Sequence, residues 1–171
     1  LSRIAHHSEP GPLIAGTEVL VTFGQLLTDG LLEEATSLRW IHGLGSGLDG
    51  LTDRPTLRPD VLVTNSRGTH SIAVAEAALG LMFALARDVP RLGRNQAAAS
   101  WQRFAPTLLH GLTVTIVAVG AIAEALASRC QALGMRTVGV SDSRSEVRGF
   151  ARMYGRAMLR QAVAEADFLV D

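Results

Sequence analysis

Lysine is missing from the 171 residues: the 16 basic side chains are all arginine, balanced by 16 acidic ones for a formal net charge of zero. That absence excludes Schiff-base chemistry on lysine and the phosphate-binding lysine of a Walker A loop. Zero net charge leaves no basic footprint for gripping nucleic acid. The single cysteine, Cys130, excludes an internal disulfide and a multi-thiolate zinc site. It also points to a cytoplasmic protein. Long apolar runs are missing too. The longest, residues 73–86, is interrupted by Glu76 and falls short of the roughly 20 residues a bilayer span needs, so no membrane role is expected. There is no H-E-x-x-H, and Leu44 and Leu48 stand where a G-x-S-x-G elbow around Ser46 needs glycines. Zinc hydrolysis and serine nucleophilic catalysis therefore lack their motifs. Residues 1–11 lack the apolar core of a signal peptide, and the first residue is leucine, which suggests a start inside a longer gene product.

What the chain does contain is alternation. Residues 18–23, 38–42 and 61–64 are short apolar, β-branched segments that read as strands, with Thr28 placed to cap a short helix ending near Thr36. Between the second and third lies a glycine cluster, residues 43–50. From Ser71 to about Val89 the chain is apolar on every side except Glu76, which predicts a helix covered on most faces and stopped by Pro90. Residues 113–118, 121–133 and 136–140 form a strand, helix, strand unit of the size of a parallel crossover, with Gly134 ending the helix. A further helix near residues 156–165 and a strand at 167–170 follow. The expected fold class is α/β with parallel sheets.

The turn Ala118-Val119-Gly120-Ala121-Ile122-Ala123 stands where the dinucleotide fingerprint G-x-G-x-x-G/A belongs. Gly120 keeps the central glycine, which lets bare backbone approach a pyrophosphate at a helix N-terminus. Ala123 is an accepted third residue, whereas Ala118 departs from the pattern and costs on the order of 1 kcal/mol if the turn needs positive φ. Asp142 lies where an acid accepts the ribose hydroxyls of NAD, but Ser141 ends the strand, and Ser143 and Arg144 would suit the 2′-phosphate of NADP. These residues leave NAD and NADP both open.

Taken together, Leu38-Arg39-Trp40-Ile41-His42 followed by Gly45-Ser46-Gly47-Leu48-Asp49, then Val63-Thr64-Asn65-Ser66-Arg67-Gly68, Val74-Ala75-Glu76 and Leu133-Gly134-Met135 make the chain resemble the D-isomer-specific 2-hydroxyacid dehydrogenases, which include glyoxylate and hydroxypyruvate reductases. The resemblance implies a partial flavodoxin-like substrate domain over residues 1–66 and a partial Rossmann-like NAD(P) domain over residues 67–171. It implies hydride transfer between nicotinamide and a small 2-keto or 2-hydroxy acid. The substrate carboxylate would be gripped at Ser46 and Gly47, and the cofactor held by Ile72, Gly120, Ala121, Ile122, Ser141 and Asp142. Ile72 reads equally as a core residue. Relatives pair through their cofactor domains, so a homodimer through the 71–89 helix is expected.

The family's reaction needs a histidine, a carboxylate partner and an arginine, which in relatives follow the strand matched by residues 167–170. The sequence stops at Asp171, so the expectation is an incomplete and inactive portion of an oxidoreductase. The strand at 113–118 would then be an exposed edge, because only the first half of the doubly wound domain is present. The alternative is a non-catalytic nucleotide-binding or assembly module on the same fold. His6, His7, His42, His70 and His110 read as surface or structural histidines, and Cys130 as a packing residue.

Overall fold

A computed structural model describes residues 13–171. His6 and His7 lie outside the described residues. The chain divides between Thr69 and His70 into two compact units.

In the smaller unit, β1 (Val19–Thr22), β2 (Trp40–Gly43) and β3 (Leu62–Asn65) form a parallel sheet in that order, with α1 (Asp29–Glu34) between the first two strands. The Thr28 side chain caps α1 by accepting the Leu31 N–H. The strand period of two separates the sheet's faces. The register row Leu20, Ile41, Val63 packs with Leu27, Leu32, Leu38 and Leu51, whereas the row Val19, Trp40, Leu62 is exposed. Arg58 fastens the turn after α1, donating to the carbonyls of Ala35, Thr36 and Leu38.

The larger unit opens with α2 (Ser71–Ala86) and α3 (Val89–Ala97). The expected stop at Pro90 does not occur. Asp88, in the left-handed region at φ +49°, ends one helix, and proline occupies the first turn of the next, where its missing N–H costs nothing. Nor is α2 covered on most faces: Ala75, Met82 and Ala86 pack toward α4 (Ala121–Ala132), while Leu81 and Leu85 remain 67% and 70% exposed.

The larger unit's sheet comprises β4 (Thr113–Val117), β5 (Arg136–Val140), β6 (Arg152–Tyr154) and β7 (Phe168–Val170), all parallel, with α5 (Leu159–Ala164) leading into β7. The strand order is β6-β5-β4-β7. This overturns the expectation that β4 is an edge: Ile116 pairs with Gly139 on one side and Val170 on the other. The last strand returns past the first and covers it. A clasp fixes that return, the Asp167 carboxylate accepting the Thr113 N–H at 2.8 Å and the Thr113 carbonyl accepting the Asp167 N–H at 2.9 Å. β6 and α3 were not foreseen, and the helix expected at 156–165 is a short 3-10 turn followed by α5.

Both faces of this sheet carry packed side chains. Val114, Ile116, Leu126, Ala127 and Cys130 share one core with α2, and Val138, Val140, Tyr154 and Ala162 form another. Buried hydroxyls find acceptors, Thr115 on the Ala162 carbonyl and Thr137 on the Gly149 carbonyl, so burying them leaves no orphan.

Candidate functional site

The sheet order makes a switch point. From β4 the chain adds β5 and β6 on one side, then β7 on the other, and ligands of open α/β sheets bind outside the carboxyl ends of strands where the order reverses. The turn at residues 118–123 leaves β4 at that place. Ala118 has φ +62°, and its N–H donates to the Val140 carbonyl at 3.0 Å, holding the turn against the end of β5. The alanine therefore sits in the left-handed conformation for which relaxed sterics require glycine, at a cost of about 1 kcal/mol.

Gly120 is the N-cap of α4 and is extended, not left-handed. It offers no capping side chain, so the first N–H groups of α4 keep their donor capacity for another acceptor. A Cβ placed on Gly120 meets no protein atom within 4 Å: the space beside this backbone is open. Val119 and Ala123 point the other way into the core, at 6% and 3% exposure. The corner is thus bare main chain, backed by packed side chains and facing a helix N-terminus. Those features fit a diphosphate.

Beside it, β5 ends at Val140, and Ser141 and Asp142 follow. Ser141 Oγ lies 3.2 Å from Ser143 Oγ, and Asp142 Oδ1 accepts the Arg156 N–H at 2.7 Å. Arg144 pairs with Glu124 in the first turn of α4. The structure therefore brings Gly120, Ala121, Ile122, Ser141 and Asp142 to one sheet edge. Ile72 lies in the first turn of α2 and is 58% exposed, which excludes its reading as core.

Ser46 and Gly47 belong to the smaller unit. Their loop is pinned where it leaves β2: the Asn65 side chain donates to the Ser46 carbonyl at 2.9 Å, and the Ser66 N–H donates to the Gly45 carbonyl at 3.1 Å. Close backbone crossing fixes the far side. A Cβ on Gly24 would stand 2.1 Å from the Asp49 carbonyl oxygen, and Gly50 adopts φ +73°.

Sequence reasoning missed a polar network on this unit. His42 contacts the Thr64 hydroxyl through Nδ1 at 2.9 Å and the Ser66 hydroxyl through Nε2 at 3.1 Å, and Trp40 donates to Thr64 at 2.8 Å. The signal was present in the alternation of β2 and β3, since pairing of His42 with Thr64 puts both on the face away from the core. His110 lies against Gly134, whose φ is +75°, and His70 precedes α2. Burial pushes the Cys130 thiol up to about 11, which makes it inert. Among the described residues no group of three or more His, Cys, Asp or Glu side chains could hold a metal ion.

Comparison with known proteins gives the family. The sequence pattern of the "D-isomer specific 2-hydroxyacid dehydrogenase, NAD binding domain" matches residues 79–170. The chain belongs to the D-isomer-specific 2-hydroxyacid dehydrogenase family. Its relatives include D-3-phosphoglycerate dehydrogenase of Methanocaldococcus jannaschii, 30% identical over 71% of this chain and 24% of that protein. A D-isomer specific 2-hydroxyacid dehydrogenase family protein from Aeromonas salmonicida is 30% identical, with a TM-score of 0.79 over 92% of this chain and 50% of that one. The D-lactate dehydrogenase of Aquifex aeolicus, solved with NAD and lactic acid, shares the fold at 20% identity and a TM-score of 0.80, over 92% of this chain and 48% of that one. The chain spans about a quarter of the length of the curated relatives it matches and about half that of the solved ones. What it carries of the family is the nicotinamide-dinucleotide domain, with the form of the cofactor undetermined. No helix among the described residues is long and apolar enough to cross a membrane.

Proposed function

We propose that this chain supplies the dinucleotide-binding part of a cytoplasmic NAD(P)-dependent oxidoreductase acting on a small 2-keto or 2-hydroxy acid. One observation carries the reading: Gly120 presents open main chain at a helix N-terminus, at the carboxyl end of the strand where the sheet order reverses. Gly120, Ala121 and Ile122 hold the diphosphate through backbone N–H groups. Ser141, at the end of β5, meets the adenosine ribose. Ile72 faces the nicotinamide, and the Ser46–Gly47 loop receives the substrate carboxylate through main-chain donors. When bound, the nicotinamide supplies or accepts the hydride.

The proton-transfer side of the reaction is not built from the described residues. His42 is engaged by two hydroxyls with no carboxylate partner, and His110 packs on Gly134. The described residues therefore provide for nucleotide binding and set neither His42 nor His110 beside a carboxylate for proton transfer. Reduced-nicotinamide oxidation with glyoxylate or hydroxypyruvate by these 171 residues would overturn that reading. The exposed apolar side of α2, with Leu81 and Leu85, supports pairing of two copies through this helix.

The binding test uses Gly120→Ala. The protein has room for the methyl group and the backbone needs no left-handed φ, so the variant folds. The methyl fills the cradle, and affinity for the reduced dinucleotide, followed by its fluorescence, falls about tenfold or more, the worth of a charge-assisted hydrogen bond. Unchanged affinity would remove the diphosphate from this corner.

A further inference from the structure

We infer that the dinucleotide taken by this chain is the 2′-phosphorylated form, read by Arg144 together with the hydroxyls of Ser141 and Ser143. The inference rests on the dinucleotide reading above and sharpens it. The sequence offers two opposed candidates after β5, the acid Asp142 for free ribose hydroxyls and the cation Arg144 for a phosphate. The fold sends them in opposite directions.

Asp142 leans outward. Its Oδ1 accepts the N–H of Arg156 at 2.7 Å, and Arg156 opens the 3-10 turn just beyond β6. Since the order is β6-β5-β4, that partner lies on the side of β5 away from β4 and from Gly120. The carboxylate is employed in closing the chain after β6. Arg144 leans inward: its guanidinium meets Glu124, in the first turn of the helix that Gly120 caps. The cation therefore spans from the end of β5 to the first turn of the pyrophosphate helix, the interval the adenosine ribose occupies in this fold.

The residue at the strand end, where an acid would select the unphosphorylated ribose, is Ser141. Its hydroxyl lies 3.2 Å from that of Ser143, so two small hydroxyls stand together and both can donate to phosphate oxygens. Glu124 does not oppose this. Its ion pair is with a half-exposed partner and is worth little, whereas a phosphate brings close to two charges and three strong acceptors to a planar fork of five donors. Arg144 exchanges one carboxylate for the stronger partner.

The test is titration of the purified protein with NADPH and with NADH at matched ionic strength, read by nicotinamide fluorescence. NADPH binding about tenfold or more tighter than NADH is expected, the worth of one charge-assisted contact. Arg144→Ala should abolish that preference while leaving NADH affinity unchanged, and Asp142→Asn should leave NADH affinity within about twofold. Equal affinities in the unaltered protein, or tighter NADH, would overturn the inference and leave the dinucleotide reading standing. So would a tenfold loss of NADH alone in Asp142→Asn, or an equal loss of both nucleotides in Arg144→Ala. Failure of the unaltered protein to bind either nucleotide would overturn the dinucleotide reading and this inference with it.

Discussion

The two sheets are built alike and finished differently. Both are parallel, but β4 of the larger unit is paired on both sides and buried from Thr113 to Ile116, whereas the smaller sheet leaves Val19, Val21 and Leu62 at least half exposed. Parallel sheets are normally packed on both faces, since their crossovers carry the cover. The difference teaches where positional accuracy resides. The corner at Gly120 hangs from a strand gripped by β5, β7 and helices, while the Ser46–Gly47 loop is held by individual polar contacts to Asn65 and Ser66.

The contrast is broken hardest by hollowing the larger core. Leu126→Ala, at 1% exposure, should cost about 3 kcal/mol of unfolding free energy in urea titration, and Leu62→Ala on the bare face no more than about 0.5 kcal/mol. Comparable losses would mean the faces do not differ in packing. The next effect tests the polar fastening of the smaller unit. Arg58→Ala removes the side-chain donor to the carbonyls of Thr36 and Leu38, while the Ala35 carbonyl keeps the Leu38 N–H, and should cost about 2 kcal/mol by the same titration. An unaltered midpoint would show those contacts to be idle.

A smaller effect, in the opposite direction, is expected at the corner. Ala118→Gly relieves the left-handed alanine at φ +62° and should raise stability by about 1 kcal/mol, with tighter dinucleotide binding. Destabilisation would show the turn is held by something other than backbone preference. The least effect is a change in pH dependence. The Tyr154 hydroxyl, then the Arg136 guanidinium, hold the Glu165 carboxyl below its ordinary value. A depressed folded value means this contribution is present above the unfolded value and disappears as pH falls through the folded one. Glu165→Gln should therefore flatten the acid limb of the thermal midpoint against pH, and an unchanged limb would remove the network from the stability of β5 and β6.

Much of this fold was legible locally. Thr28 caps α1 as its hydroxyl and position foretold, and the strand at 136–140 has the predicted ends. Gly120 stands at the strand-to-helix corner that the degraded fingerprint suggested. What escaped was nonlocal. Arg152–Tyr154 is too short to show a period, so β6 exists only because β5 offers it a ladder. The covered side of α2 could not be read because the helix is apolar all round, and only contact with α4 singles out Ala75, Met82 and Ala86. The His42 network escaped because its partners Thr64 and Ser66 arrive from the next strand.

By itself the sequence determined most of the strands and helices, though neither β6 nor α3, where a bare glycine meets a helix start, and the family to which these residues conform. Such features follow from backbone preference and side-chain period, which neighbouring residues impose. Only the tertiary structure decided that β7 lies beside β4 and that Asp142 turns to Arg156 while Arg144 turns to Glu124. Those directions depend on hydrogen-bond partners 14 and 20 residues away, which become neighbours only when the sheet is assembled.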